Sequence, residues 1–503
     1  MTSQELVNSG YPVNIKNEIQ ELLKEIGPGQ MGNTAYDTAW VARLGEVDRD
    51  LSNQALEWIC ENQLKDGSWG AREIFYYHDR VISTLAAMIA LTYRGRRTRD
   101  KIQIERGLDA LERITSGATQ GLAADPNGAT VGFEMIVPTL VAEAEKLDII
   151  KQQSNRILGR LRKMREIKVE KLAGLKINRQ ITAVLSSEMA GTDSIHLLDI
   201  DNLQEPNGSI GYSPASTAYY ALNIKPGDSC ALNFLKGVTV NGGVPFVSPF
   251  NIFERCWSLW NLSLLDDIDA KMMDLIQPHL IFLQKHWIPG QGISFTNDCA
   301  LIDSDDTSVT YCVLSRFGYK PDIEALLSYE EKDFFRCYHY EVNPSIGANI
   351  HILGAMKRAG FDKDHPSLKK IINFLYKSRY DQTHWFDKWH ASPYYITSHA
   401  IIECQGIDDE LCKDAVGWML NTQNANGSWG FYNFPTAEET AFCIQALKLW
   451  NKNGGNVPSE KIDIAIQWLK DHYESPYPWM WIGKTLYYPE LLIKSIILTA
   501  LAL

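Results

Sequence analysis

Three carboxylates stand within four residues in the run Asp303-Ser304-Asp305-Asp306-Thr307, with apolar Ala300, Leu301 and Ile302 before it and Val309, Tyr311, Val313 and Leu314 after it. Ionised neighbours this close disfavour one another, and apolar walls add desolvation, so at least one carboxyl is expected to keep its proton near neutral pH. A carboxylic acid held that way is a proton donor. The same letters make a good helix N-terminus, with Asp303 as the cap and Asp305 and Asp306 in a first turn, where carboxylates accept free amide hydrogens. A third reading takes the apolar run followed by Asp-x-Asp-x-Thr as a strand end carrying the nucleophile, Asp303, and the acid of a haloacid-dehalogenase-type phosphatase. That reading requires alternating strands and helices downstream.

The elements around the motif favour helices. Apolar residues recur at helical spacing over 14–26, 56–63, 81–93, 101–114, 133–147, 155–163 and 262–285, with Gly, Pro and Asn breaks between them. Period-two runs are few, which predicts a nearly all-α chain and speaks against the parallel sheet a phosphatase needs. The breaks themselves repeat. Gln63-x-x-Asp66-Gly67-Ser68-Trp69-Gly70, Gln204-x-x-Asn207-Gly208-Ser209-Ile210-Gly211 and Gln423-x-x-Asn426-Gly427-Ser428-Trp429-Gly430 share one order of residue types, and each leads into a helix rich in small residues. Asn or Asp with Gly permits positive φ, while Gln and Trp can tie one helix end to its neighbour. Units of helix, Gly turn and helix bury no face alone, so they must stack into a closed helical barrel or a solenoid.

A chain of 503 residues is too long for one ordinary core and implies two or more domains. Its 14 Trp, 22 Tyr and 17 Phe are more aromatic surface than a plain core needs and predict an aromatic-lined site. The net charge of −12, with no basic tract, excludes a nucleic-acid partner. Nine scattered cysteines without a C-x-x-C pair read as reduced core residues of a cytoplasmic protein. Met1 to Lys16 lacks the pattern of a secretory leader, no stretch reaches 18 apolar residues, and Leu491 to Leu503 reads as a buried terminal helix.

The acid run and the three turns, taken together, resemble the DxDD and QW motifs of the class II terpene cyclases. The likeness runs from about Thr34 to the end. It includes Ala35-Tyr36-Asp37-Thr38-Ala39-Trp40-Val41-Ala42, Asp79-Arg80 with Thr84-Leu85-Ala86, Gly132-Phe133-Glu134 with Pro138, Ser213-Pro214 with Ser216-Thr217-Ala218, Asp387-Lys388-Trp389 and Trp481-Ile482-Gly483-Lys484-Thr485-Leu486-Tyr487. The sequence is more similar to the diterpene branch, the bacterial halimadienyl and plant copalyl diphosphate synthases, than to the squalene–hopene branch.

The resemblance implies an all-α fold of two (α/α) barrels. The γ barrel (31–247) is inserted after a first helix (1–30) that belongs with the β barrel (248–503), and the site lies between them. It implies Asp305 as the general acid, with Asp303 and Asp306 holding its proton in place, and a linear isoprenoid as substrate. Geranylgeranyl diphosphate is expected to become a bicyclic labdane- or halimane-type diterpenyl diphosphate; farnesyl diphosphate and a prenylated aromatic acid remain alternatives with the same chemistry. A non-catalytic helical toroid is a further one. Protonating an alkene, a very weak base, requires an un-ionised acid in a dry site. The cation requires aromatic faces, worth about 0.5 to 2 kcal/mol each, and Trp257, Trp260, Trp385, Tyr394, Tyr395, Trp479, Trp481 and Tyr487 are the supply; plain core packing is the competing role for each. Diphosphate binding is expected at Lys388, at Lys171 or Lys176, and at Lys484, with Mg²⁺ carried by Glu134. Neither Asp266-Asp267-Ile268-Asp269 nor Asp408-Asp409-Glu410-Leu411-Cys412 has the DDxxD spacing, so diphosphate ionisation is not expected. The family's terminating His–Asn pair falls on Ser187 and Phe246, which cannot act as that base.

Overall fold

The computed structural model describes residues 14–95, 97–117, 125–150, 157–341 and 343–503. The opening residues up to 13, and the start of the helix expected over 155–163, lie outside them.

Six helices close a ring, each packed on the next: Asn251–Leu262, Ser304–Arg316, Ile346–Arg358, Pro393–Cys404, Ala437–Lys452 and Glu490–Ala502, the last returning to the first. Being surrounded, they are apolar or small on nearly every face; Ser304 to Leu314 are all buried. An outer layer of amphipathic helices covers them, among them Ala270–His286, Pro366–Ser378, Asp409–Asn421 and Ser459–Asp471. The first helix, Ile15–Glu25, joins this layer and buries Ile19, Leu22 and Leu23 in the same core. A second ring is built by Ala35–Ala42, Tyr77–Arg94, Phe133–Lys146, the 3₁₀ segment Thr182–Ala190 and Pro214–Tyr219, around its own core. The fold is therefore a pair of α/α barrels. The described residues hold one two-stranded antiparallel sheet, Trp481–Ile482 with Leu486–Tyr487, and no parallel sheet, which removes the phosphatase reading.

The periodic run read over 262–285 is two helices. Asp269 accepts the amide of Met272 at 2.8 Å and caps a new start at Ala270, so the acidic stretch 266–269 is a break. Leu491 to Leu503 lies in the closing inner helix, and no described helix is long and apolar enough to cross a membrane.

The repeated turn is tied as its residue types require. Gly67, Gly208 and Gly427 have φ of 91°, 89° and 90°. Gln63 and Gln423 donate both to the turn's own glycine carbonyl and to a carbonyl of the next outer helix, Gln103 or Lys461. The Trp69 and Trp429 indoles each donate 2.8 Å to a carbonyl ten residues back, Ile59 and Met419. Trp385 does the same toward Leu375 at 3.0 Å. Trp385 is thus the wedge of a fourth turn, not a ring facing substrate. A backbone amide in each turn also donates to a threonine Oγ1 on the following inner helix: Trp69 to Thr84, Ile210 to Thr217, Ile293 to Thr307, Trp385 to Thr397 and Trp429 to Thr440, at 2.9–3.2 Å. Thr307 follows the acid motif directly. A Cβ at Gly292 would sit 2.3 Å from its Oγ1, so glycine is required where this turn clamps the motif.

Candidate active site

Asp303 caps the helix Ser304–Arg316, accepting the amide of Asp306 at 2.8 Å. The cap reading of the motif is correct, and capping is what aims the other two carboxyls. Asp306 turns to Trp257, whose indole N–H donates to its Oδ1 at 2.8 Å. Asp305 faces a cavity and keeps 12% of its side chain exposed. Burial, then the Asp306 charge, pushes Asp303 well above the ordinary carboxylate range. Burial also lifts Asp306, to about 7, against the opposing pull of the Trp257 hydrogen bond.

Behind Asp305 stands a relay that the sequence did not reveal. Its Oδ1 lies 2.6 Å from His351 Nδ1, and His351 Nε2 lies 2.8 Å from His399 Nδ1. Burial and the neighbouring His351 hold His399 well below the ordinary histidine range, so it is neutral. Its Nε2 is buried without a partner. A buried bare lone pair costs less than a buried unpaired N–H, which places the His399 proton on Nδ1. Then His399 donates to His351, and His351 donates from Nδ1 to Asp305. The second carboxyl oxygen of Asp305 takes no part in this relay and lies at the cavity.

That cavity lies between the barrels. Phe250, Phe253, Trp257, Phe295, Tyr338, Trp389, Tyr395, Trp481 and Tyr487 line it from one barrel, and Val131, Thr182, Leu185 and Phe246 from the other. The Trp481 indole is fixed by Glu438 at 2.8 Å.

Several expected ring positions lie elsewhere. Trp260 sits one layer back, 4.5 Å from the His399 ring, with its indole on Glu403 at 3.2 Å. Tyr394 packs on Trp418 of the outer layer, and its neighbour Tyr395 faces the cavity. Trp479 stacks on Tyr488 outside it. Phe246 lines the cavity, whereas Ser187 does not.

A second, more polar cleft adjoins the first and shares Val131, Thr182, Tyr338 and Trp389 with it. Glu134 and Lys168 pair in it, as do Lys388 and Glu341. Burial lowers the Lys388 ammonium to about 8. Lys171 and Lys176 are exposed and do not line this cleft; Lys168, one turn earlier on the helix Leu161–Lys171, takes that place. Lys484 is also displaced from the expected role. It is fully buried and donates to Glu188 Oε1 at 2.7 Å and to Ser213 Oγ at 2.8 Å, across the barrel interface. Carboxylate oxygens of Glu134 and Glu341 beside lysines form a donor set suited to a hard divalent ion that shares substrate phosphates.

Two helical barrels with an acid trio at the head of an aromatic cavity are the architecture of a cation-cyclising enzyme, and comparisons with known proteins agree. Residues 341–480 match the family model of the squalene–hopene cyclase C-terminal domain. The Type B diterpene cyclase of Mycobacterium tuberculosis is 50% identical over 480 residues, 94% of this chain and 96% of the relative. Copalyl diphosphate synthase 1 of Selaginella moellendorffii is 30% identical over 65% of this chain and 44% of its own length. Among solved structures, ent-copalyl diphosphate synthase from Streptomyces platensis shares the fold with a TM-score of 0.76 at 24% identity, covering 97% of this chain and 98% of that one. The chain belongs to the class II terpene cyclases, within their diterpene cyclase branch. It is an enzyme of cyclisation.

Proposed function

We propose that the enzyme converts geranylgeranyl diphosphate to a bicyclic labdane- or halimane-type diterpenyl diphosphate, with Asp305 as the acid. The observation that carries this reading is the Asp305 carboxyl set at the cavity wall with His351 bonded to one of its oxygens. The free oxygen gives its proton to the terminal alkene. As the carboxylate forms, the His351 N–H already on its partner oxygen stabilises the charge without reorganisation. The cation then moves down the chain as double bonds attack in turn, over the faces of Trp257, Tyr395, Trp481 and Tyr487. Apolar walls keep water from ending the sequence early.

The diphosphate is retained, held in the adjoining cleft by Lys388 and Lys168. Glu134 is the carboxylate that would hold Mg²⁺, which supplies charge neutralisation for the phosphate oxygens when bound. Unpaired cysteines throughout the chain support a reducing compartment, the cytoplasm.

The test is to incubate the enzyme with geranylgeranyl diphosphate and Mg²⁺, remove phosphate, and analyse the alcohols by mass spectrometry beside Asp305→Asn. A cyclic alcohol absent from the variant is expected. Unchanged geranylgeraniol from folded enzyme would reject this substrate and direct attention to farnesyl diphosphate or a prenylated aromatic acid.

A further inference from the structure

Two lysine–carboxylate pairs face one cleft, and each barrel supplies one of them: Glu134 with Lys168, and Glu341 with Lys388. The carboxylates are the buried members, with side chains 5% and 7% exposed, against 28% and 24% for their lysines. The pairs are close enough that Lys168 and Glu134 both act on the charge of Lys388. Glu341 is held at both oxygens, by Lys388 on Oε1 and by the Cys337 amide on Oε2 at 2.6 Å.

We infer that Glu341 is a second carboxylate for the metal–diphosphate group, and that the two pairs exchange partners when it binds. The inference rests on the proposal that the substrate carries a diphosphate. With no ligand the two lysines pair with the two carboxylates. A diphosphate ester brings about three negative charges, and its oxygens are the stronger match for ammonium groups. If both lysines turn to phosphate, the buried Glu134 and Glu341 are left facing an anion without a counter-charge, which is unfavourable. A divalent ion removes that penalty, because its two charges match the two carboxylates released. One or two carboxylates plus phosphate oxygens is also the usual setting for Mg²⁺. Diphosphate binding and metal binding should therefore depend on each other.

The same loop reaches the acid. Ser304, in the first turn of the motif helix, donates from its amide to the Cys337 carbonyl at 3.0 Å and from Oγ to the Arg336 carbonyl at 2.9 Å. Glu341 thus lies on a segment fixed to the helix that presents Asp305.

The experiment measures binding of inorganic pyrophosphate by calorimetry, with and without Mg²⁺, to wild type, Glu341→Gln and Glu134→Gln. Wild type should bind at least about 10-fold more tightly with the metal. Glu341→Gln should bind metal-free pyrophosphate more tightly than wild type, since Lys388 is released, and should lose most of the Mg²⁺ gain, as Glu134→Gln does. A Glu341→Gln protein that keeps the full gain overturns the inference and leaves the diphosphate reading standing. Wild type that binds no pyrophosphate under either condition overturns both. Lys388→Gln gives an independent check by electron paramagnetic resonance of Mn²⁺. Freeing Glu341 should raise Mn²⁺ affinity several-fold in the absence of pyrophosphate, and an unchanged affinity rejects the pairing exchange.

Discussion

At the level of single residues, the proposed acid, Asp305, is held by groups that share its burial but not its position in sequence. Asp305 meets His351 across 46 residues, and His351 meets His399 across 48. Replacing His351 with Phe removes the N–H that stabilises the forming carboxylate. Turnover of the folded protein is expected to fall by about 10²-fold or more, and the His399 N–H left unpaired lowers stability by about 1–3 kcal/mol; single-turnover kinetics beside a thermal melt separates the two effects. The pH dependence follows from Asp306, whose raised value near 7 reflects burial opposed by the Trp257 hydrogen bond. As pH rises through that value, Asp306 gains a negative charge one residue from Asp305 and disfavours the charge that proton transfer would put on Asp305, so kcat declines. Trp257→Phe keeps an aromatic ring but removes the donor that favours ionised Asp306, and the decline should move to higher pH in a kcat profile. The same group sets a stability trend. The folded state binds the extra proton between about pH 4 and 7, so this contribution to stability weakens as pH rises across that window. The acid trio is legible in sequence because crowding like charges into an apolar run is costly unless one of them keeps its proton. His351 and His399 are not legible, since a single histidine on an apolar helix carries no signal of what it faces.

At the level of elements, the repeated turn positions the chemistry. The acid motif is the start of one barrel helix, clamped by Thr307 to the turn at Ile293 as Thr397 and Thr440 clamp theirs. Three turns can be read from Gln, Asp or Asn, Gly and Ser at fixed spacing. The turns at 287–294 and 380–386 cannot, because they keep the amide-to-threonine bond without the Gln-x-x-Asn-Gly letters. From sequence Trp385 is one candidate ring among several, with core packing as the rival role, and it packs as the wedge of a turn. Residue type does not tell which way a ring points, and one step of about 100° around a helix separates Tyr394, packed outward on Trp418, from Tyr395 in the cavity. These assignments predict opposite phenotypes. Thr397→Val leaves the Trp385 amide unpaired in the core at a cost of about 1–3 kcal/mol, and Trp385→Ala opens a cavity costing about 3–5 kcal/mol. Both should lower the denaturation midpoint while the residual folded enzyme makes the same product. Tyr395→Phe should leave stability nearly unchanged and alter the product mixture.

At the level of the whole molecule, neither barrel encloses the reaction alone, so fidelity depends on how tightly the two are joined. Lys484, from the hairpin of one barrel, enters the other and meets Glu188, which also accepts from Tyr36 at 2.8 Å and Ser216 at 2.7 Å. The hairpin adds backbone ties, with the Leu486 amide on Asp79 at 3.0 Å and the Val131 amide on the Gly483 carbonyl at 2.8 Å. Within one turn of these ties, Trp481, Ile482 and Tyr487 line the cavity. Lys484 therefore acts on the reaction through the wall that it holds in place. Lys484→Met leaves Glu188 buried without its counter-ion, and losing one partner of such a pair costs about 3–5 kcal/mol. Adding Glu188→Gln removes the stranded charge, so the double variant should recover much of that loss, which a double-mutant cycle on the unfolding midpoint measures. The product should respond as well. A looser seam admits water to a cation that apolar walls otherwise protect, so the single variant should release a larger share of hydroxylated diterpenyl diphosphate. Mass spectrometry in H₂¹⁸O would count that share directly, and an unchanged product ratio in a destabilised Lys484→Met protein would show that the seam supports the fold without guarding the cation.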